Sequence, residues 1–240
     1  MSGRFALDIE TVSPSLDHYE RPPDFRDSAH FELLAVALGY EGPDGERETE
    51  MLYREADGPD GELDLVERTC GWIAERPGDT CLTYGGEGFD FVHLVGRAEA
   101  ATGEHPGRTG PSQRISALLE EELTHDDIQP AAWDAFGEYT RLEEACAEVG
   151  IETADTAWAD YDHGIALDEL RPPKYEGFEK VINKDVPVFG ERYLKLAEAG
   201  ATETLTFRSL RELLDHYGRE DIVHLFDLAD ARPFGGGPNR

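Results

Sequence analysis

The stretch Phe5-Ala6-Leu7-Asp8-Ile9-Glu10-Thr11 decides how this chain is read. Phe5 to Ile9 has the apolar density of a buried strand, interrupted by one Asp. A strand repeats every two residues, so Asp8 and Glu10 fall on one face and point the same way. Burying a carboxylate amid Phe, Leu and Ile is costly unless something compensates it, and a divalent cation would do so. The plainer alternative is a strand end with two solvated acids.

Outward from this strand, residues 12–29 are rich in Pro and Asp and read as loop. Phe31 to Tyr40 and Glu48 to Arg54 read as second and third strands joined by a hairpin turn at 42–45. Leu63, Val66, Cys70 and Ile73 give 62–76 helical spacing. Asp79 to Tyr84 is a fourth strand. Gly85-Gly86-Glu87-Gly88 is a turn, and 89–101 a helix with Phe89, Val92, His93 and Leu94 inward. Residues 103–113 read as a Gly/Pro loop and 115–123 as a helix, with a fifth strand near Asp127-Ile128. Helices follow at 141–149 and 186–200, each ended by Gly. The last and clearest helix spans about Ser209 to Ala231. The expectation is an α/β fold with a mixed central sheet of about five strands flanked by helices. One domain over 1–231 and a disordered tail at 232–240 are expected.

The chain has 240 residues and a formal charge of −30, from 52 acidic and 22 basic residues. The basic set is 18 Arg against four Lys, and the acids spread along the chain instead of forming a tail. Such an even, Lys-poor acidity suits the cytoplasm of salt-loving microbes, where molar salt shortens the Debye length to about 3 Å. No apolar run is long enough for a membrane span, and Met1 leads almost at once into a strand, so neither a membrane partner nor a signal peptide is expected. The three cysteines, Cys70, Cys81 and Cys146, lack metal-ligand spacing and read as free buried thiols.

Such acidity devalues carboxylate motifs. Three Asp-x-Glu pairs occur (Asp8/Glu10, Asp44/Glu46 and Asp60/Glu62), the number that acid content alone produces. Only the first sits on a buried-type strand. A second candidate acid, Asp90, lies beside Phe89 where the Gly-rich turn enters a helix; the plain alternative is an acid favoured by the helix dipole. A third lies in the last helix, where Leu210, Leu213, Leu214, Tyr217, Asp221, His224, Leu225 and Leu228 form one stripe. Tyr217 and Asp221, four apart, stack on its inward face, and Arg219 lies off it.

Asp-x-Glu-Thr on the first strand, Tyr-x-Gly-x-x-Phe-Asp after a later strand and Tyr-x-x-x-Asp in the last helix occur here in that order. This resembles the DEDD, or DnaQ-like, 3′→5′ exonucleases of the ribonuclease H-like superfamily, in the variant with Tyr in the third motif. It looks most like the YprB-type ribonuclease H-like domain. The run Arg141-Leu142-Glu143-Glu144-Ala145-Cys146, then Trp158 and Tyr161-Asp162-His163-Gly164, is similar to the Leu-Glu-rich helix and Trp-containing loop of that group. The resemblance spans roughly residues 4–231.

That resemblance implies a ribonuclease H-like fold and a metal-dependent 3′→5′ exonuclease acting on the end of single-stranded DNA or RNA, alone or within a larger processing complex. It implies Asp8, Glu10, Asp90 and Asp221 as ligands of two Mg²⁺ or Mn²⁺ ions, since all-oxygen sites suit those ions. Tyr217 would orient the attacking water. Thr11 and Phe89 would touch the substrate. Relatives usually carry Asn where this chain has Gly85, which bears on substrate binding and not on the metal ligands. Gly218 is a second oddity, since Gly inside a helix costs about 1 kcal/mol relative to Ala. The competing expectation is a catalytically silent module that binds nucleic acid or protein.

Overall fold

The computed structural model describes residues 2–16, 20–166, 170 and 179–234. Five strands, β1 (Gly3–Val12), β2 (Glu32–Glu41), β3 (Arg47–Tyr53), β4 (Gly78–Thr83) and β5 (Thr124–Asp127), form one mixed sheet in the order β3-β2-β1-β4-β5. β1, β2 and β3 are an antiparallel meander, while β4 and β5 lie parallel to β1 on its other side. The hairpin turn between β2 and β3 forms as expected, closed by the Gly42 N–H on the Glu46 carbonyl at 2.9 Å.

Alternation along β1 sorts its side chains between two cores. Phe5, Leu7 and Ile9 pack with Val36, Leu38 and Cys81 beneath helices α1 (Gly58–Ala74), α2 (Asp90–Glu104) and α3 (Gly110–Ala117). Ala6 and Val12 face the opposite side with Leu34, Ala35, Ala37 and Met51. That side is covered by α6 (Val186–Glu198), α7 (Leu205–Val223) and α8 (Leu225–Asp230). Two shorter helices, α4 (Gln129–Phe136) and α5 (Leu142–Glu148), follow β5. The fold is α/β, a five-stranded mixed sheet between helical layers, consistent with the ribonuclease H-like fold expected from the motifs.

Three elements differ from the sequence expectation. The final helix starts four residues earlier, at Leu205, and divides at His224 into α7 and α8. His224 keeps helical angles (φ −88°, ψ −12°), so the apolar stripe runs on to the buried Leu225 and Leu228 while the hydrogen-bond ladder lapses. Periodicity cannot register such a break. α4 was not expected, and α3 begins inside the segment read as a Gly/Pro loop. Both carry Pro in their first turn, as do α1 and α6. There the missing N–H has no helical partner to lose, so Pro starts these helices instead of breaking them.

Of the expected tail, Arg232 pairs with Asp126 of β5 at 2.5–2.8 Å and Phe234 packs on Phe136 with ring centroids 5.1 Å apart. Residues 235–240 lie outside the described residues. The three cysteines are free and buried, and burial pushes the Cys81 thiol up to about 12.

Candidate functional site

β1 and β4 run parallel, so their C-terminal ends lie at one edge of the sheet, the edge where ligands of parallel sheets bind. Three features of the local chain bring the expected residues there. The alternation that sends Phe5, Leu7 and Ile9 to one core leaves Asp8 and Glu10 on the face covered by α7. A bulge between Glu10 and Thr11 shifts the pairing with β2 from Ala35 to Leu33, the kind of irregularity that re-aims side chains beside a site. Beyond β4, Gly85 adopts φ +86°, a left-handed conformation. It turns the chain so that Asp90 opens α2.

Glycine adopts that region without the steric cost a side chain would bring. The turn is fixed by Asp127, whose Oδ1 accepts from the Gly85 N–H at 2.8 Å and from the Gln129 N–H at 3.0 Å.

Asp8, Glu10, Asp90, Asp221 and Tyr217 all line one cleft of about 590 Å³, together with Thr11 and Phe89. Every site residue expected from the sequence is therefore in the same place. One carboxylate oxygen from each of Asp8, Glu10 and Asp221 lies within 4.8 Å of the other two, a spacing one cation could bridge. Asp90 does not close to within that distance of all three, but its charge is felt by Asp8 and Glu10, and Asp221 acts on it in turn. No Arg or Lys among the described residues pairs with any of the four. Arg219, off the stripe as expected, is engaged by Asp215 at 2.6 Å and by the Thr49 carbonyl at 3.0 Å.

The electrostatics follow from burial without neutralisation. Burial raises the Asp8 carboxyl well above the usual carboxylate range, and Asp90 adds to it. Glu10 is raised by burial and then by Asp8, Asp221 and Asp90. Asp90 is pushed up to about 8 by burial, Asp221 and Asp127, against an opposing hydrogen bond from the Ile9 backbone. Asp221 is raised by burial, then by Asp8, Glu143 and Glu220. Glu10 Oε1 is buried and has no hydrogen-bond partner.

Glu62 shows how this protein otherwise handles a buried acid. It is 1% exposed, grips Arg97 with both oxygens at 2.6 and 3.0 Å, and accepts the Leu33 N–H at 2.8 Å. Glu62 is matched by a cation; among the described residues none of the four acids in the cleft is, and Glu10 Oε1 has no partner at all. An unpaired buried oxygen among converging carboxylates fits a bound cation, because it supplies hard oxygen donors and lacks any other compensation.

The rest of the cleft is unlike its floor. Phe25, Phe31 and Phe89 form an aromatic wall, with Phe31 and Phe89 edge-to-face at 5.3 Å and the Arg21 guanidinium 5.2 Å above the Phe25 ring. His93 backs that wall as core, its two ring nitrogens bonded to Ser28 Oγ at 3.0 Å and the Phe25 carbonyl at 2.8 Å. Asn183 and Lys184, just before α6, contribute to the opposite side. The sequence reading missed both, because a lone polar pair in an irregular segment has no periodicity to mark it.

Searches against protein-family models and against curated proteins return no match. No helix among the described residues is long and apolar enough to cross a membrane.

Proposed function

We propose that this chain is a divalent-cation-dependent 3′→5′ exonuclease that hydrolyses terminal phosphodiester bonds of single-stranded DNA or RNA. The observation that carries the reading is Glu10 Oε1, buried and unpartnered at the meeting point of carboxylates from β1, α2 and α7. Asp8, Glu10 and Asp221 would hold the first cation, and Asp90 would complete the set for a second.

When bound there, two such cations, Mg²⁺ or Mn²⁺, would polarise a phosphodiester, make a water a nucleophile at neutral pH and stabilise the leaving 3′-oxygen. The remaining roles belong to side chains. Tyr217 makes no hydrogen bond to any described residue, and burial with Asp221, Glu10 and Asp8 nearby holds its phenol protonated well above its ordinary range. It therefore orients a water by hydrogen bond and does not serve as its base. Phe89 and its aromatic neighbours offer flat faces to a terminal base. Thr11, beside the bulge, lines the same cleft and is in reach of the terminal nucleotide.

The test is an end-labelled single-stranded DNA or RNA incubated in molar KCl with Mn²⁺ or with EDTA. The expected result is a Mn²⁺-dependent ladder shortened from the 3′ end, abolished by Asp8→Ala and by Asp221→Ala. Binding without cleavage in every metal would point to a silent module and count against this function.

A further inference from the structure

Tyr217 and Asp221 also line a second cleft, of about 400 Å³, which shares them and Asn183 with the first. Its outer wall is aromatic. Trp133 on α4 and Tyr139 in the following loop have ring centroids 5.5 Å apart. Tyr139 is 74% exposed and is the one non-glycine residue with positive φ (69°) among those described. A strained, solvent-facing aromatic persists only where its surroundings hold it there. Here the Thr140 N–H and Oγ1 both donate to the Gly137 carbonyl, at 3.2 and 2.6 Å, closing the loop around Tyr139.

The polar tips nearby are already engaged. Trp133 Nε1–H and the Tyr84 hydroxyl both donate to the Thr140 carbonyl, at 3.0 and 2.6 Å. The two cations of the cleft are paired as well, Arg141 with Glu143 and Glu144, and Lys180 with Asp155. Glu220 and Asp221 add negative charge. A phosphate is poorly served there, whereas a neutral, flat, π-faced group is well served.

We propose that this second cleft is a nucleobase subsite. It stacks an unpaired base of the same strand whose end lies at the carboxylates, and so favours single-stranded over base-paired ends. The proposal rests on the nuclease reading for the position of that strand. A base inside a duplex is stacked on its neighbours and must be extruded before it can enter.

The test follows Trp fluorescence while the full chain, in Ca²⁺ and molar KCl, is titrated with a short single-stranded oligonucleotide. Quenching is expected in the wild type, absent in Trp133→Phe, and shifted to about tenfold weaker affinity in Tyr139→Ala, in line with the loss of one stacked base. The blunt duplex of the same sequence should leave the signal unchanged. In Mn²⁺, the Tyr139→Ala defect should fall on KM more than on kcat. Circular dichroism checks the fold, which truncation of an exposed ring should leave intact. An unquenched wild type, quenching that survives Trp133→Phe, or equal quenching by duplex overturns the subsite. Hydrolysis without Trp133-dependent quenching removes the subsite and leaves the nuclease. Quenching without hydrolysis in any metal supports a base-binding cleft and removes the nuclease.

Discussion

Asp90 carries a pH dependence whose sign is fixed by its surroundings. Its carboxyl is pushed up to about 8, whereas in the unfolded chain it titrates near 4. Between those values the folded protein binds more protons than the unfolded one, so stability falls as pH rises. The contribution is fully present below about pH 4 and is lost by the time pH passes about 8. Asp8, Glu10 and Asp221 are raised for the same reasons and act in the same direction. Metal-free protein should therefore lose melting temperature between pH 5 and 8. Mn²⁺ should restore most of it at the upper end by favouring the ionised carboxylates. Asp90→Asn should flatten the metal-free profile; an unchanged slope would mean that Asp90 titrates normally. At Tyr217 the expectation is kinetic. Tyr217→Phe should slow hydrolysis on the order of 100-fold, the loss typical of a misplaced reactant, while Mn²⁺ binding, followed calorimetrically, stays nearly intact. Loss of metal affinity in that variant would refute a water-orienting role.

Helix α7 delivers Tyr217 and Asp221, and Gly218 sets how closely it lies on the sheet. A Cβ at Gly218 would sit 2.7 Å from Met51 Cε and 3.5 Å from Glu10 Oε1. Gly218→Ala gains roughly 1 kcal/mol of helix propensity, while the atom it crowds, Met51 Cε, ends a flexible though buried side chain that has to turn aside, at a cost near the low end of overpacking, about 1 kcal/mol. The two effects nearly cancel, so the expected net change in melting temperature is small. Met51→Ala removes the obstructing thioether, so in that background Gly218→Ala should become stabilising. Simple additivity of the two changes would refute the contact as the cause. The sequence marked Gly218 as an anomaly without its reason, because the reason lies on a strand more than 160 positions away. Asp8 and Glu10 were legible because an apolar strand makes an inward acid conspicuous. Tyr217 and Asp221 were legible because a long stripe fixes a face. Trp133 and Tyr139 were not, since α4 hides behind Pro130 and Tyr139 owes its position to a loop closed by Thr140.

For the molecule as a whole, 52 acidic residues face 22 basic ones, and the ion pairs engage the cations several acids at a time. Arg108 alone touches Asp60, Asp64 and Glu67, and Arg4 pairs with both Glu41 and Asp230. The surplus of acids is left to repel itself. Added salt weakens both the pairs and the repulsion. With a formal charge of −30, the repulsion is the larger quantity. The melting temperature should thus rise as KCl is raised from about 0.1 M to 1 M, where the Debye length falls from about 10 Å to 3 Å. A flat or falling curve would mean that the surface needs no screening. A charge of −30 leaves little basic surface for a phosphate backbone, so the proposed function rests on the carboxylates and aromatic faces of the cleft.

The cleft also has an order of assembly written into its chain positions. Asp8 and Glu10 lie on the first strand and Asp90 follows the fourth, but Tyr217 and Asp221 arrive on α7, after every strand of the sheet. A chain emerging from the ribosome holds three of the carboxylates long before it holds the fourth. Until α7 has been made and has docked, Glu10 faces an open sheet and the cleft has no roof. The fourth acid joins the other three only once α7 has docked, so any binding that needs all four waits for the whole fold.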